Sequence, residues 1–205
     1  MILKADHNAL VLVGIWNKGI FNQEWISRFL LPKEKKLKVE IPLNVDGSMR
    51  VSSDNVRIFV IGNKLNFTPL STNDETFELI QDLAIKTADY LPHTPVTAFG
   101  VNFLFETESV DFLQEILQLK GIKKLVDFGA SIKSTLYKHS VQIKKRLINI
   151  SVITDNSKVK FDFNFHFDLQ NLTEFKEKIV SNRILELKEV TLNIMNEVYN
   201  LQLNK

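Results

Sequence analysis

The chain has 205 residues, none of them cysteine, with only 7 glycines and 5 prolines. Without cysteine there is no disulfide framework, no thiolate metal site and no thiol nucleophile. The few glycines form no phosphate-cradling loop. Neither Gly-x-Gly-x-x-Gly nor the P-loop pattern occurs, and the Gly-x-Ser-x-Gly elbow of hydrolases is also missing. The N-terminal apolar run, Ala9 to Trp16, is far short of the ~20 residues that cross a bilayer. No small-residue cleavage site follows it, so a buried strand is expected there, in a cytoplasmic protein. A strong net charge is lacking as well: 26 Lys+Arg against 24 Asp+Glu leave +2.

What remains is an ordinary folding composition, 44% hydrophobic, 24% charged and 10% aromatic. A chain of this size is one domain or two small ones and buries ~70% of its unfolded surface.

Period and punctuation predict the elements. Residues 9–16 read as a buried strand, and Asn22 as the cap of a short helix bearing Trp25, Ile26, Phe29 and Leu30 and stopped by Pro32. Residues 36–42 alternate like a half-exposed strand. Asp46-Gly47 turns the chain into 48–53, and Gly62-Asn63 joins strands 56–61 and 64–69. Thr72 and Glu75 have capping-box spacing ahead of a helix with Phe77, Ile80, Ala84, Ala88 and Leu91 on one stripe. Residues 96–106 form a long strand in which Phe99, Val101, Phe103 and Phe105 share a face. Within it, Gly100 and Asn102 suggest close approach of another backbone, or a bulge. Ser109 caps a helix with Phe112, Leu113, Ile116 and Leu117, ended by Gly121. A basic, strand-rich stretch covers 122–153, and Asp155-Asn156 is a turn. In 158–168, Val159, Phe161, Phe163, Phe165 and Phe167 point one way, and Lys160, Asp162, Asn164, His166 and Asp168 the other. Asn171 and Glu174 repeat the capping spacing before a helix to about residue 200, broken near Ser181-Asn182.

The order strand, helix, three or four strands, helix thus occurs twice. The fold class expected is α+β: two similar β-α-β(3–4)-α halves, residues 1–91 and 96–205, packed as one unit. The sheet is largely antiparallel with helices on one face. Asn22 and Ser109 lie 87 residues apart, and Trp25, Ile26, Phe29 and Leu30 match Phe112, Leu113, Ile116 and Leu117 at that offset. The saddle fold of the TATA-box-binding protein has the same element order, an analogy of topology that carries no function. The apolar strand face such a saddle uses to bend DNA is lacking here.

Position along the chain alters the meaning of the net charge. Residues 120–146 hold Lys120, Lys123, Lys124, Lys133, Lys138, Lys144, Lys145 and Arg146 against Asp127 alone, a balance of +7. Residues 73–119 hold nine acids and only Lys86, a balance of −8. A basic segment of this kind meets an anionic partner, protein or nucleic acid, or else is a solvated lysine face that protects strand edges. With 21 Lys to 5 Arg, bidentate phosphate recognition is not favoured. Phe128 and Tyr137 are its only aromatics, too few for a base-stacking platform.

The four histidines, His7, His93, His139 and His166, are dispersed without a zinc-protease spacing. His166 shares a strand face with Asp162, Asn164 and Asp168, a polar outer face or, less simply, an acid/base or metal group. His93 sits in the rigid linker Leu91-Pro92-His93-Thr94-Pro95. The Phe ladders read as core, with a ligand cavity as the competing reading.

A helix ending in Pro92 followed by the strand TPVTAFGVNFLFE, within residues 75–105, resembles an uncharacterised, sporadically distributed bacterial family of α+β proteins. Gly100, Val101 and Asn102 stand where that family has a Gly-x-x-Asn-like signature, here with contracted spacing. The resemblance implies a bacterial protein acting with partners and carries over no site residues. Together these features point to a non-enzymatic binding protein without cofactor or metal, engaging a partner protein or self-associating as a subunit of a bacterial complex. The alternative is nucleic-acid binding through 120–146.

Overall fold

In the computed structural model, which describes residues 1–43, 48–108, 124–125, 127–155 and 158–203, three helices begin by the same device. An asparagine side-chain oxygen accepts the backbone N–H three residues on: Asn22 from Trp25 (2.9 Å), Asn73 from Thr76 (3.0 Å) and Asn171 from Glu174 (2.9 Å). Helix α1 (Gln23–Trp25) runs into a π turn at Ile26–Leu30. Helix α2 spans Asp74–Tyr90; its cap is Asn73, one residue later than the spacing of Thr72 predicts. Helices α3 (Leu172–Ser181) and α4 (Ile184–Tyr199) are separated at the expected break. There Asn182 turns its amide back onto the carbonyl of Lys178 (3.0 Å), and the N–H of Ile184 finds Oε1 of Gln81 (3.0 Å). No helix among the described residues is long and apolar enough to cross a membrane.

The strands are β1 (Ile2–Leu3), β2 (Leu10–Gly14), β3 (Lys38–Glu40), β4 (Arg50–Ser52), β5 (Val56–Ile61), β6 (Lys64–Pro69), β7 (Val96–Thr107), β8 (Ser134–Ile143), β9 (Arg146–Asp155) and β10 (Lys158–Asp168). They form one ten-stranded sheet with the path β3-β4-β5-β6-β2-β7-β10-β9-β8, and β1 also pairs with β7. All the pairings are antiparallel. The antiparallel β2–β7 ladder carries the sheet from the first half of the chain into the second. The strand expected over 36–42 is only three residues long, because its partner β4 is equally short, and Ile41 is left exposed. The expected turn at Asp46-Gly47 and the helix expected after Ser109 lie outside the described residues.

Alternation decides which face is the core. Val159, Phe161, Phe163 and Phe165 of β10 are buried, as are Phe99, Val101, Phe103 and Phe105 of β7. The helices cover this face: Phe77 of α2 lies on Phe103 (5.9 Å between ring centres), Phe175 of α3 on Phe99 (5.1 Å) and Tyr199 of α4 on Phe161 (4.9 Å). The Phe rings thus pack the space beneath the helices. Burying one such ring contributes roughly 1.5–3 kcal/mol, so this ladder anchors the fold. The intervening residues, Lys160, Asp162, Asn164 and His166, stay half-exposed on the opposite face.

Candidate functional site

Register brings the polar residues of that open face into rows. Asn149 on β9 faces Asn164 on β10, which faces Asn102 on β7. The side chains bond in one direction. Ser140 Oγ donates to Asn149 Oδ1 (2.7 Å), Asn149 Nδ2 to Asn164 Oδ1 (3.0 Å), Asn164 Nδ2 to Asn102 Oδ1 (2.7 Å), and Asn102 Nδ2 to the carbonyl of Asn8 (2.6 Å). Thr68 Oγ1 completes the row on Asn8 Oδ1 (2.9 Å). Each amide of Asn102, Asn149 and Asn164 spends one N–H and one oxygen lone pair along the row, leaving one of each without a side-chain partner among the described residues. Gly100 makes this possible: a Cβ there would sit 2.9 Å from Asn164 Nδ2. The close approach at Gly100 is therefore made by a side chain, and the expected bulge lies elsewhere in the same strand: β2 steps from Val13 to Gly14 while β7 steps from Ala98 to Val96, leaving Thr97 as the extra residue.

The next row holds Lys138, Ser151 and Asp162 on β8, β9 and β10. His7, from the segment joining β1 to β2, lies near Asp162 and donates Nε2–H to the carbonyl of Asn102 (3.0 Å). Its Nδ1 is buried without a hydrogen-bond partner among the described residues. Burial pushes the His7 pKa down, against the opposing pull of the Asn102 and Lys4 carbonyls and the charges of Asp162 and Asp6. Burial pushes the Asp162 pKa up, against the attraction of His7 and Lys138. The rows place Asp162 next to Ser151, with no hydrogen bond from His7 to Ser151, so the three do not form a nucleophile–base–orienter relay. Of the residues read from sequence as one polar strand face, His166 pairs through Nε2 with Asp168 Oδ1 (3.1 Å), Asn164 joins the amide row, and Asp162 lies near His7. Among the described residues no cluster of three His, Asp or Glu is placed to hold a metal ion.

The basic residues singled out from the sequence do not form one patch. Lys120 and Lys123 lie outside the described residues. Lys124 and Lys133 are exposed ahead of β8, and Lys138 is exposed on the open face. Lys144, Lys145 and Arg146 converge at the β8–β9 turn, where they line an open cleft of about 690 Å³ with Leu147, His166 and Lys178. Arg146 is engaged there, its Nε donating to Asn182 Oδ1 (2.9 Å) and its guanidinium facing Glu186 (3.8 Å). Lys178 is held by Glu174 (2.7 Å). Lys138, Lys144 and Lys145 have no ion pair among the described residues.

Part of the acidic stretch has counter-charges within the molecule. On α2, Asp74 pairs with Lys188 (2.7 Å), Glu78 with Arg183 (3.7 Å) and Asp89 with Lys176 (2.9 Å). Three of the five α2 acids are thus tied to the last two helices, and among the described residues the lysines of the β8–β9 turn, Lys144 and Lys145, have no ion pair, while Lys138 has Asp162 in its vicinity. His7 and the asparagine row escaped the sequence reading; the one signal for them was a glycine and an asparagine inside an apolar strand.

Comparison with protein-family models, with curated proteins and with solved structures finds no match to this chain.

Proposed function

We propose that the chain is a non-enzymatic binding protein, a subunit of a bacterial complex, that engages an acidic surface of a partner protein. The binding region is the open face of β8–β10 with the basic turn at Lys144-Lys145. The observation that carries this reading is the charge imbalance in space. Lys138, Lys144 and Lys145 are exposed and unpaired among the described residues, whereas Asp74, Glu78 and Asp89 are paired with α3 and α4. Complementary charge of this kind steers encounter and sets specificity. The amide row beside the lysines supplies fixed donors and acceptors at little entropic cost, because each amide is already held by its neighbours.

Nucleic acid fits the same surface less well. The open-face side chains of β8, β9 and β10 include no Phe, Tyr or Trp on which a base could stack, and Asp162 and Asp168 lie among the lysines. We read the two halves, 1–91 and 96–205, as copies of one duplicated unit. The strand path supports this: outward from the central β2–β7 pair it runs β6, β5, β4, β3 on one side and β10, β9, β8 on the other.

The test is a parallel titration with poly-L-glutamate and with duplex DNA at ~50 mM salt. Saturable binding of the polyglutamate in preference to DNA is expected. Tighter DNA binding, weakening with a log–log salt slope of about −0.9 per phosphate contacted, would replace this reading by the nucleic-acid one.

A further inference from the structure

The two ends of the sheet are built differently. At one end β3 is three residues long and carries Lys38 and Glu40, a short, charged edge of the kind that resists further pairing. At the other end β8 runs for ten residues without proline, and all ten pair with β9 with no shift of register. Its side away from β9, which pairs with no strand among the described residues, extends for about 33 Å at ~3.3 Å per residue.

The turn fixes which groups that side presents. Ile143 and Arg146 face each other across the two-residue turn Lys144-Lys145 and form its closing pair. In such a hairpin the closing pair is hydrogen-bonded and bonding alternates from there. Thr135, Tyr137, His139, Val141 and Ile143 thus bond to β9. Ser134, Leu136, Lys138, Ser140 and Gln142 aim their backbone N–H and C=O away from it, and none of these groups has a backbone partner among the described residues.

The side chains define what would pair there. On the helix side Tyr137 and Val141 pack only partly against the core, and Ile143 is exposed. On the open side stand Leu136, which is 65% exposed, and Lys138; Lys133 precedes the strand and Lys144 and Lys145 follow it. A second copy of this chain would set two basic edges together, with Lys138 opposite Lys138 in a centred register, and like charges directly opposite destabilise a sheet.

Resting on the reading under Proposed function, we infer that β8 is an augmentation edge: it accepts, as an added strand, an extended segment of the acidic partner in which apolar and acidic residues alternate. The apolar residues cover Tyr137, Val141 and Ile143, and the acidic ones meet Lys138 and the flanking lysines. Main-chain bonds supply affinity and the alternation supplies specificity.

The probe is an N-acetylated decapeptide of alternating Glu and Val, with its Lys-Val counterpart as control. Binding of the Glu-Val peptide should slow amide hydrogen exchange at Leu136, Lys138, Ser140 and Gln142 about tenfold or more, leaving the odd-numbered amides as they are. Leu136→Pro removes one outward N–H and should weaken the peptide about tenfold while polyglutamate binding is retained. Equal affinity for the Lys-Val peptide, protection elsewhere on the molecule, or no binding at millimolar peptide overturns the inference. Exchange on the unsubstituted protein decides the matter even if Leu136→Pro does not fold. Loss of polyglutamate binding by the unsubstituted protein instead removes the reading beneath it.

Discussion

Asn164 Nδ2 lies 2.7 Å from Asn102 Oδ1 across the β7–β10 ladder, in space that exists because residue 100 is glycine. Asn164→Ala should leave the Asn102 oxygen and the Asn149 amide without their partner, at a cost of about 1–2 kcal/mol. Gly100→Ala should also destabilise, since its Cβ displaces the Asn164 amide. Combined, the two substitutions should cost less than their sum, because the alanine at 164 removes the group that the new methyl strikes. Urea midpoints at constant m-value measure all three. Strict additivity would show that the glycine is not there for Asn164.

The pH dependence has two opposing parts. The folded-state pKa of His7 is lowered, so between its unfolded value of ~6.5 and that lower value the unfolded chain binds more protons, and stability falls as pH falls. The folded-state pKa of Asp162 is raised, so its ionisation penalises the fold at neutral pH, and stability is regained as pH falls through that value. His7→Gln should therefore flatten the decline just below pH ~6.5, and Asp162→Asn should hold or raise stability at pH ~7. Thermal melts across pH check both; marked destabilisation by Asp162→Asn at neutral pH contradicts the burial argument.

Lys144 adopts φ +56° in the β8–β9 turn, a left-handed conformation that costs a side-chain-bearing residue about 1–3 kcal/mol. Glycine relieves this at an entropic cost of about 0.5–1 kcal/mol. Lys144→Gly should thus stabilise the fold by roughly 0.5–1 kcal/mol and at the same time weaken polyglutamate binding. Chemical denaturation and a binding titration on the same variant separate the two effects. A lysine kept only as a solvated turn residue would give the gain in stability with no loss of binding.

The period of two in Val159–Phe167 announced β10 and its buried face, since alternation is a local property. The caps at Asn22 and Asn171 were legible for the same reason, and Asn73 displaced Thr72 because both can accept the same first-turn N–H groups. The rows of the open face were not legible. They depend on which residue of β9 faces which of β10 and β7, and register is set by the whole sheet. Gly100 and Asn102 stood out in their strand, but nothing local named Asn164 as the reason. His7 read as one of four scattered histidines because its acidic neighbour, Asp162, lies on the far strand of the second half. The partners of Asp74, Glu78 and Asp89 on α2 were not legible either, because they come from helices at the other end of the chain.

The central claim is that unpaired lysines on β8 and its turn recognise an acidic protein surface. The most direct measurement is calorimetric titration of poly-L-glutamate into the protein and into the Lys138→Glu, Lys144→Glu, Lys145→Glu triple variant. Reversal of three exposed charges, each worth up to ~1 kcal/mol, should weaken binding about tenfold or more while the protein stays folded, with a small fall in melting temperature from Lys138→Glu beside Asp162. Equal affinity of the two proteins would contradict the account and leave these lysines as a solvated face.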